Sequence, residues 1–218
     1  MPDAELRNEI HPFEDLPLDV QFELDRLDLK LAEVLTFNEG HILSVTKPAG
    51  EPLDIYIGGV PVGAGEVMPL NENLGVRITA YATGGRKPAP RAVIRQRDEA
   101  EVARLLKDVP EEYRDPQRLG LWLDELVSVS IVVGRAWLRL DKVLKLTMGS
   151  FVELEGSPRQ SVEIVANDRV LAYGEVVVRD GCYGVRIQAV ATQRERIAAA
   201  NLPVFLREHM EMAFRCAR

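Results

Sequence analysis

Cysteine and long apolar runs are both scarce in this sequence. Cys182 and Cys216 are the only cysteines among 218 residues, which is too few for a disulfide framework and predicts reduced thiols in a cytoplasmic protein. No apolar run approaches the ~20 residues that a membrane-spanning helix needs. The opening "MPDAELRNEI" has neither a basic segment nor an apolar core, so no secretory signal is predicted.

Metal-ligating and catalytic motifs are also missing. The histidines His11, His41 and His209 are scattered, and none lies at ligand spacing from a cysteine or another histidine, so no metal site is predicted. The glycine-rich "GGVPVGAGEV" lacks the strand–loop–helix context of a nucleotide site. Bends or close strand contact explain its Gly63 and Gly65 better. We therefore predict no enzyme activity and no cofactor.

The charge of the chain argues against a nucleic-acid partner. Apolar residues make up 46% and charged residues 28%, and the net charge is −7, whereas binding to a phosphate backbone usually needs a basic face. The segment "GGRKPAPRAVIRQR" is basic, but no aromatic residues interleave for base stacking. We interpret it as a solvated linker.

One phrase occurs twice. "LGVRITAYAT" begins at Leu74 and "YGVRIQAVAT" begins at Tyr183. A shift of 109 residues aligns 18–83 with 127–192 without a gap, and roughly 18 of about 66 positions are identical, which indicates two copies of one module. We call these the first copy and the second copy.

Within each copy the pattern is mostly that of strands. Val20, Phe22 and Leu24 alternate with polar neighbours, as in a half-buried strand, and Val129, Ile131 and Val133 stand at matching positions of the second copy. "LAEVLTF" (31–37) and "LDKVLKL" (140–146) predict short helices of two turns, and "LDIYI" and "VEIVA" predict further strands. The expected fold class is mainly β with short helices, a β-rich α+β protein.

The last hairpin of the second copy can be predicted residue by residue. Asp180-Gly181 is typical of a type I′ turn, which needs positive φ at both positions. That turn places Glu175 opposite Arg186. The same count in the first copy places Glu66 opposite Arg77. The turn there would be Asn71-Glu72, and glutamate is unfavourable at positive φ, so that loop could be longer or shifted. One face should then form core, and it holds Val176, Val178, Tyr183, Val185 and Ile187. Val177 is left among charged residues on the other face.

Two further helices are predicted outside the strands. Asp98 can cap a helix with Glu101 three residues on, and Pro110 ends it. Thr192 and Glu195 form a capping box after the second copy. Beyond it, an apolar stripe at helical spacing either packs on its own domain or docks another subunit; its members are Leu202, Phe205, His209, Met212 and Cys216.

The ordered motifs resemble a known family. "AGEPLDIYIGG", "GAGEV" and "NENLGVRI" in the first copy, and "SVEIVANDRVLAYGEVVVRDGCYGVRI" in the second, look like the SpoA (surface presentation of antigens) module. That module is the C-terminal domain of the flagellar switch proteins FliN and FliM, and it occurs in the ring protein of virulence type III secretion systems. "TQRERI" also resembles the usual end of FliN.

The resemblance implies an intertwined fold in which the two modules form an intramolecular pseudo-dimer. A strand-rich unit of ~65 residues is marginal alone, so it gains by covering its apolar faces with a second module. The expected organisation is an N-terminal extension (1–15), a first module (16–83), a basic linker (84–97), a connecting helix and loop (98–123), a second module (124–192) and a helical tail (193–218).

The resemblance also implies a non-catalytic role in the cytoplasmic ring at the inner-membrane face of the basal body. Expected partners are other ring proteins and the N-terminal peptide of the export ATPase regulator, with possible self-association. The family's valine-rich peptide site corresponds to Val176, Val177 and Val178, with Tyr183 beside them. The matching first-copy residues are Val67 and Met68, followed by Pro69, which departs from the pattern because proline lacks a strand donor.

Several alternatives remain open from the sequence. The machine could be the sorting platform of a non-flagellar type III secretion system, and the chain could instead be a small β-domain enzyme or nucleic-acid binder. The middle domain of FliM and its N-terminal signal-binding segment find no match, so direct binding of a chemotaxis response regulator is not predicted. The residue pattern of the related phosphatase domain finds no match either. The valines could also simply pack against the partner module.

Overall fold

The computed structural model describes residues 13–70, 73–81, 123–155 and 161–200. These residues form antiparallel strands with three short helices. In chain order the elements are β1 (Pro17–Lys30), α1 (Leu31–Leu35), β2 (Ile42–Pro48), β3 (Leu53–Ile57), β4 (Val60–Leu70), β5 (Asn73–Tyr81), β6 (Leu126–Arg139), α2 (Leu140–Val143), β7 (Phe151–Glu153), β8 (Ser161–Ala166), β9 (Arg169–Arg179), β10 (Cys182–Val190) and α3 (Gln193–Ala199). The predicted fold class is confirmed.

The compact units of the protein do not coincide with the two copies. Within the described residues, the first unit contains 13–24, 50–70, 73–81 and 132–155. The second unit contains 25–49, 123–131 and 161–200. Each unit is therefore built from segments of both copies, as the predicted intertwined pseudo-dimer requires.

Both units follow the same strand order. The first is β6-β1-β3-β4-β5-β7, and the second is β1-β6-β8-β9-β10-β2. Strand β7 of the second copy pairs with β5 of the first copy, and β2 of the first copy pairs with β10 of the second. The copies thus exchange one strand each, and the exchanged strand is added to the repeated Gly-Val-Arg-Ile strand.

Equivalent backbone hydrogen bonds lie just before each exchanged strand. In the second unit, the Gly40 N–H donates to the Ile187 carbonyl oxygen at 2.8 Å, and the Ile187 N–H donates to the His41 carbonyl oxygen at 2.8 Å. In the first unit, Gly149 and Ile78 make the equivalent bond at 2.8 Å. Gly40 and Gly149 have φ of 80° and 87°, a region that favours glycine. This explains why both copies carry glycine there.

The helices begin where the sequence predicts and end earlier. α1 starts at Leu31 and spans five residues, and α2 starts at Leu140 and spans four. The Leu146 N–H donates to the Val143 carbonyl oxygen at 3.1 Å, a three-residue spacing that tightens the chain into a turn. The predicted two-turn lengths are therefore wrong, while the positions are right.

The capping box before α3 is confirmed. The Glu195 N–H donates to Thr192 Oγ1 at 3.4 Å, and the Thr192 N–H donates to Glu195 Oε2 at 2.8 Å. Hydrogen bonds from the Thr192 hydroxyl and N–H lower the pKa of the Glu195 carboxyl. The predicted helix from Asp98 and the apolar stripe from Leu202 lie outside the described residues. No helix of the described ranges is both long and apolar enough to cross a membrane.

The turn of the last hairpin and the faces of its residues are as predicted, but the prediction that Val178 is part of the core is wrong. Asp180 and Gly181 have φ of 53° and 79°, as a type I′ turn needs. Val185 and Ile187 are buried, whereas Val178 is 63% exposed. Val178 lies next to the turn, where the hairpin extends beyond the covered part of this face. In the first copy, pairing continues to Leu70 opposite Asn73, so the connection is two residues and not longer.

The exchange of strands predicts that the chain stays together when its connection is cut. We expect a protein with a specific protease site inserted in residues 84–97 to keep its mass in solution after cleavage, because each unit holds strands from both fragments. Size-exclusion chromatography with light scattering, next to denaturing gels of the same fractions, measures this. Fragments that separate without denaturant would contradict the exchange, and the uncut protein is the control.

Candidate functional site

Val177 lies on the outer face of the hairpin formed by β9 and β10. It is half-buried and stands opposite Gly184. A β-carbon on Gly184 would be 3.4 Å from Val177 Cγ2 and 3.4 Å from Ile42 Cγ2, so these two side chains border the space above the glycine. We call Val177, Gly184 and Ile42 the Val177 surface. Because Ile42 belongs to β2, the first copy supplies part of a surface that the second copy carries.

The predicted valines do not form one patch. Successive residues of a strand point to opposite faces, so Val176 and Val178 lie on the face away from Val177. Val176 is half-buried opposite the fully buried Val185, while Val178 lies opposite the half-buried Tyr183 near the turn. The structure therefore separates the Val177 surface from the exposed Val178 and the half-buried Tyr183 at the tip of the hairpin.

Charged residues border the Val177 surface. Glu175 stands opposite Arg186 in the strand register, and Glu175 Oε2 accepts a hydrogen bond from Gln188 Nε2 at 3.1 Å. In the first copy, Arg77 Nη2 donates to Glu66 Oε2 at 2.7 Å, with both side chains about half exposed. Exposed pairs of this kind contribute about 0–1 kcal/mol. Their main consequence here is to surround an apolar spot with charges of both signs.

The corresponding surface of the first copy has a different shape. Met68 is half-buried and stands opposite Gly75, and Val67 is 40% exposed. Phe151 of β7 takes the place of Ile42 and is 51% exposed. Pro69 is exposed and has no N–H to donate. The first copy thus offers a bulkier, more exposed aromatic surface in place of the compact valine and isoleucine.

Sequence reasoning missed Ile42 and Phe151. Each occurs two residues after a positive-φ glycine, at Gly40 and Gly149, so both could have been found as equivalent positions of the repeat. Their role was hidden because each belongs to a strand that pairs with the other copy. In the described ranges, no group of three or more His, Cys, Asp or Glu side chains is arranged to hold a metal ion. Apolar contact with charged surroundings is the chemistry that these surfaces offer, as at protein interfaces.

A family model recognises both copies of this chain. The match is to the type III flagellar switch regulator (C-ring) FliN C-terminal family, over residues 12–82 and 124–192. The chain belongs to the FliN C-terminal family. The two matches cover well over half of the sequence, and each contains one of the exchanged strands. The protein thus carries two FliN C-terminal domains in tandem.

Individual relatives agree with the family. The flagellar motor switch protein FliN of Borreliella burgdorferi is 43% identical over 65 residues, which are 30% of this chain and 58% of the relative. FliN of Pectobacterium carotovorum is 38% identical over 81 residues, 37% of this chain and 76% of the relative. The flagellar motor switch phosphatase FliY of Bacillus subtilis is 37% identical over 79 residues, 36% of this chain but 21% of FliY. The chain thus spans little more than half of the Borreliella relative and a small part of FliY.

Proposed function

We propose that this chain is a non-catalytic component of the cytoplasmic switch ring (C-ring) of a bacterial flagellar motor. It would sit at the inner-membrane face through the complex, bind other ring subunits, and hold the N-terminal peptide of the export ATPase regulator. Two tandem FliN domains support the ring assignment, together with relatives named flagellar motor switch proteins. The phosphatase named among the relatives matches over only 21% of its length, so its activity does not transfer to this chain.

The Val177 surface is the observation that carries the peptide-binding role. It combines an accessible valine, a neighbouring isoleucine and a glycine that leaves room between them. An apolar peptide side chain placed above Gly184 would contact both Val177 and Ile42. The adjacent Glu175 and Arg186 can pair with charges on the peptide and select its orientation, as charged interface rims do. Val178 and Tyr183 at the tip, and Val67 and Met68 in the first copy, are secondary contacts in this proposal.

A charge placed at Val177 should abolish peptide binding. We expect Val177→Asp to weaken the affinity for the regulator's N-terminal peptide at least tenfold, because the carboxylate would replace the apolar contact and would have to lose water on binding. Titration calorimetry with a synthetic peptide from the same organism measures this. Circular dichroism checks that the variant is folded.

Met68→Asp is the matched control, because Met68 occupies the position of Val177 in the first copy. Met68→Asp should change the affinity for the peptide less than about threefold, because a few residues carry most of the binding energy of a protein interface and the proposal assigns that role to the Val177 surface. Equal losses in both variants, or no loss in Val177→Asp, would refute the site assignment.

Mass spectrometry of complexes from the native host would identify the machine to which the protein belongs, since the alternative is the sorting platform of a non-flagellar type III secretion system.

A further inference from the structure

The two copies differ most at their first helices. In α1 the residues Leu31, Ala32, Val34 and Leu35 are all buried, whereas none is buried in α2. Leu35 is 5% exposed, and its counterpart Leu144 is 58% exposed. The same helix of the same module is therefore covered in the second unit and uncovered in the first.

Helix α3 provides the cover in the second unit. It packs against α1 and β9, and its Ile197 is completely buried. The preceding Arg196 points one nitrogen, Nη1, at the end of α1 and donates to the carbonyl oxygens of Val34, Leu35 and Phe37 at 2.9, 2.7 and 3.3 Å. The C-terminal carbonyls of a helix lack intrahelical partners and carry partial negative charge. An arginine followed by an aliphatic residue therefore matches this site in charge and in shape.

The first unit has an open apolar groove at the equivalent place, between α2 and β4. Its volume is about 100 Å³, and Phe22 and Ile55 are among the residues below Val62, Val143 and Leu146. An apolar cavity of roughly 150 Å³ holds a benzene-sized group, so this one has room for one aliphatic side chain. We call it the α2 groove.

The lining of the α2 groove has a buried counterpart at each of these positions in the second unit. Val62 corresponds to Leu171, Val143 to Val34 and Leu146 to Phe37, and all three counterparts are at most 1% exposed. The Tyr81 hydroxyl donates to the Leu146 carbonyl oxygen at 2.8 Å, which satisfies the carbonyl that corresponds to that of Phe37. The apolar lining of the groove therefore matches the α3 site of the second unit, while one of the three carbonyls that Arg196 contacts there has a counterpart already bonded by Tyr81.

The first copy does not encode its own α3. The positions that correspond to Gln193, Arg194 and Ile197 hold Gly84, Gly85 and Pro88. Inside a helix, each glycine costs about 1 kcal/mol and a proline about 3 kcal/mol relative to alanine. The buried isoleucine is also lost. The first copy thus has the groove, while its sequence after Tyr81 disfavours the helix that fills the equivalent place in the second unit.

We propose that the α2 groove binds an amphipathic helix of a partner protein, in which an arginine is followed directly by isoleucine or leucine. The arginine would reach the end of α2, and the aliphatic side chain would enter between Val62 and Val143. The first unit as a whole leaves more apolar surface open to a partner: of the twelve exposed large apolar side chains in the described residues, nine belong to it. The proposal deepens the ring-adaptor function and rests on it, since it specifies the chemistry of one partner.

The probe that tests this is a lactam-stapled, acetylated peptide with the sequence of residues 191–200, ATQRERIAAA, added to the full chain. We expect saturable shifts of the Val62 and Val143 methyl signals in nuclear magnetic resonance spectra, with the signals of Leu171 and Val34 unchanged. The same peptide with alanine in place of the arginine before isoleucine should bind roughly tenfold more weakly, since it loses charge-assisted hydrogen bonds.

Variants of the protein test whether the shifts come from peptide bound in the groove. Val143→Glu, on the half-buried wall of the groove, should remove the shifts of the Val62 methyl signals. Leu126→Glu, at a 50% exposed residue of the second unit, should leave them unchanged. Regulator-peptide binding should survive in Val143→Glu, so that failure of the groove is distinguishable from failure of the ring-adaptor function.

Three results would overturn the proposal. One is the absence of saturable shifts at millimolar peptide. Another is a groove already filled, seen as contacts between the Val62 methyls and residues 82–122 of the same chain. The third is a dimer of the free protein in which a second molecule covers the same methyl groups.

Discussion

Replacing Arg196 with methionine is expected to lower the free energy of unfolding by about 3 kcal/mol. The side chain is 9% exposed, and its three hydrogen bonds serve carbonyls at the end of α1. Burial lowers the pKa of the guanidinium, yet arginine stays charged at neutral pH. Methionine keeps most of the volume but removes this donor. The Val34 carbonyl keeps the Phe37 N–H at 3.4 Å, whereas the Leu35 and Phe37 carbonyls lose the Arg196 bonds, at a cost of about 1–3 kcal/mol per unsatisfied group. Urea unfolding followed by circular dichroism measures the loss.

Two variants test whether the effect comes from these bonds. Arg196→Lys retains a charged donor and should lose less stability than the methionine variant. Arg194→Ala changes an exposed arginine two residues earlier on α3, and surface changes usually stay within about 0.5 kcal/mol. A methionine variant as stable as Arg194→Ala would show that the contact between Arg196 and α1 contributes little.

Gly174→Ala is expected to lower the free energy of unfolding by about 2 kcal/mol. Gly174→Val should lower it by about 3 kcal/mol or prevent folding, because overpacking a core forces its neighbours to shift. A β-carbon at Gly174 would lie 2.5 Å from Val185 Cγ1 and 2.7 Å from the Arg186 carbonyl oxygen. The valine can rotate, but the carbonyl belongs to the paired strand β10 and cannot move without breaking the register. Thermal and urea unfolding measure both losses, and the alanine variant keeps the test possible if valine prevents folding.

Gly184→Ala is the matched control on the neighbouring strand. It is also buried, but its β-carbon would have ordinary contacts of 3.4 Å with Ile42, Leu43 and Val177. Alanine also restricts the unfolded chain more than glycine, so its stability should be within about 0.5 kcal/mol of the parent. A Gly174→Ala variant equally close to the parent would show that β9 can move away from β10.

The repeat and the hairpins could be predicted because their signals are local. The turn at Asp180-Gly181 needs only its own two residues, and the pairing of Glu175 with Arg186 follows by counting from that turn. The starts of the helices at Leu31 and Leu140 follow from the change of apolar spacing. The resemblance to SpoA modules supplied the intertwined arrangement, which no local pattern contains.

The composition of the candidate sites could not be predicted in the same way. Ile42 borders the space above Gly184, next to Val177, only because β2 of the first copy pairs with β10 of the second copy. Alternation correctly assigns Val178 to the face of Val185, but it carries no information on where the cover of that face ends, and Val178 is exposed. The α2 groove differs from its filled counterpart because Gly84, Gly85 and Pro88 stand where α3 has Gln193, Arg194 and Ile197, a difference that becomes visible only when the two units are compared.

The exchange of strands also sets an order on synthesis at the ribosome. The described part of the first unit ends at Glu155, whereas the second unit needs residues up to Ala200. Leu43 pairs with Val185, which is synthesised about 140 residues later. At 5–20 residues per second this delay is roughly 7–30 s. Throughout that interval β2 is an unpaired strand on a nascent chain, open to wrong pairing. Slow translation, or a chaperone shortage, should therefore harm the second unit, with its Val177 surface, before it harms the first.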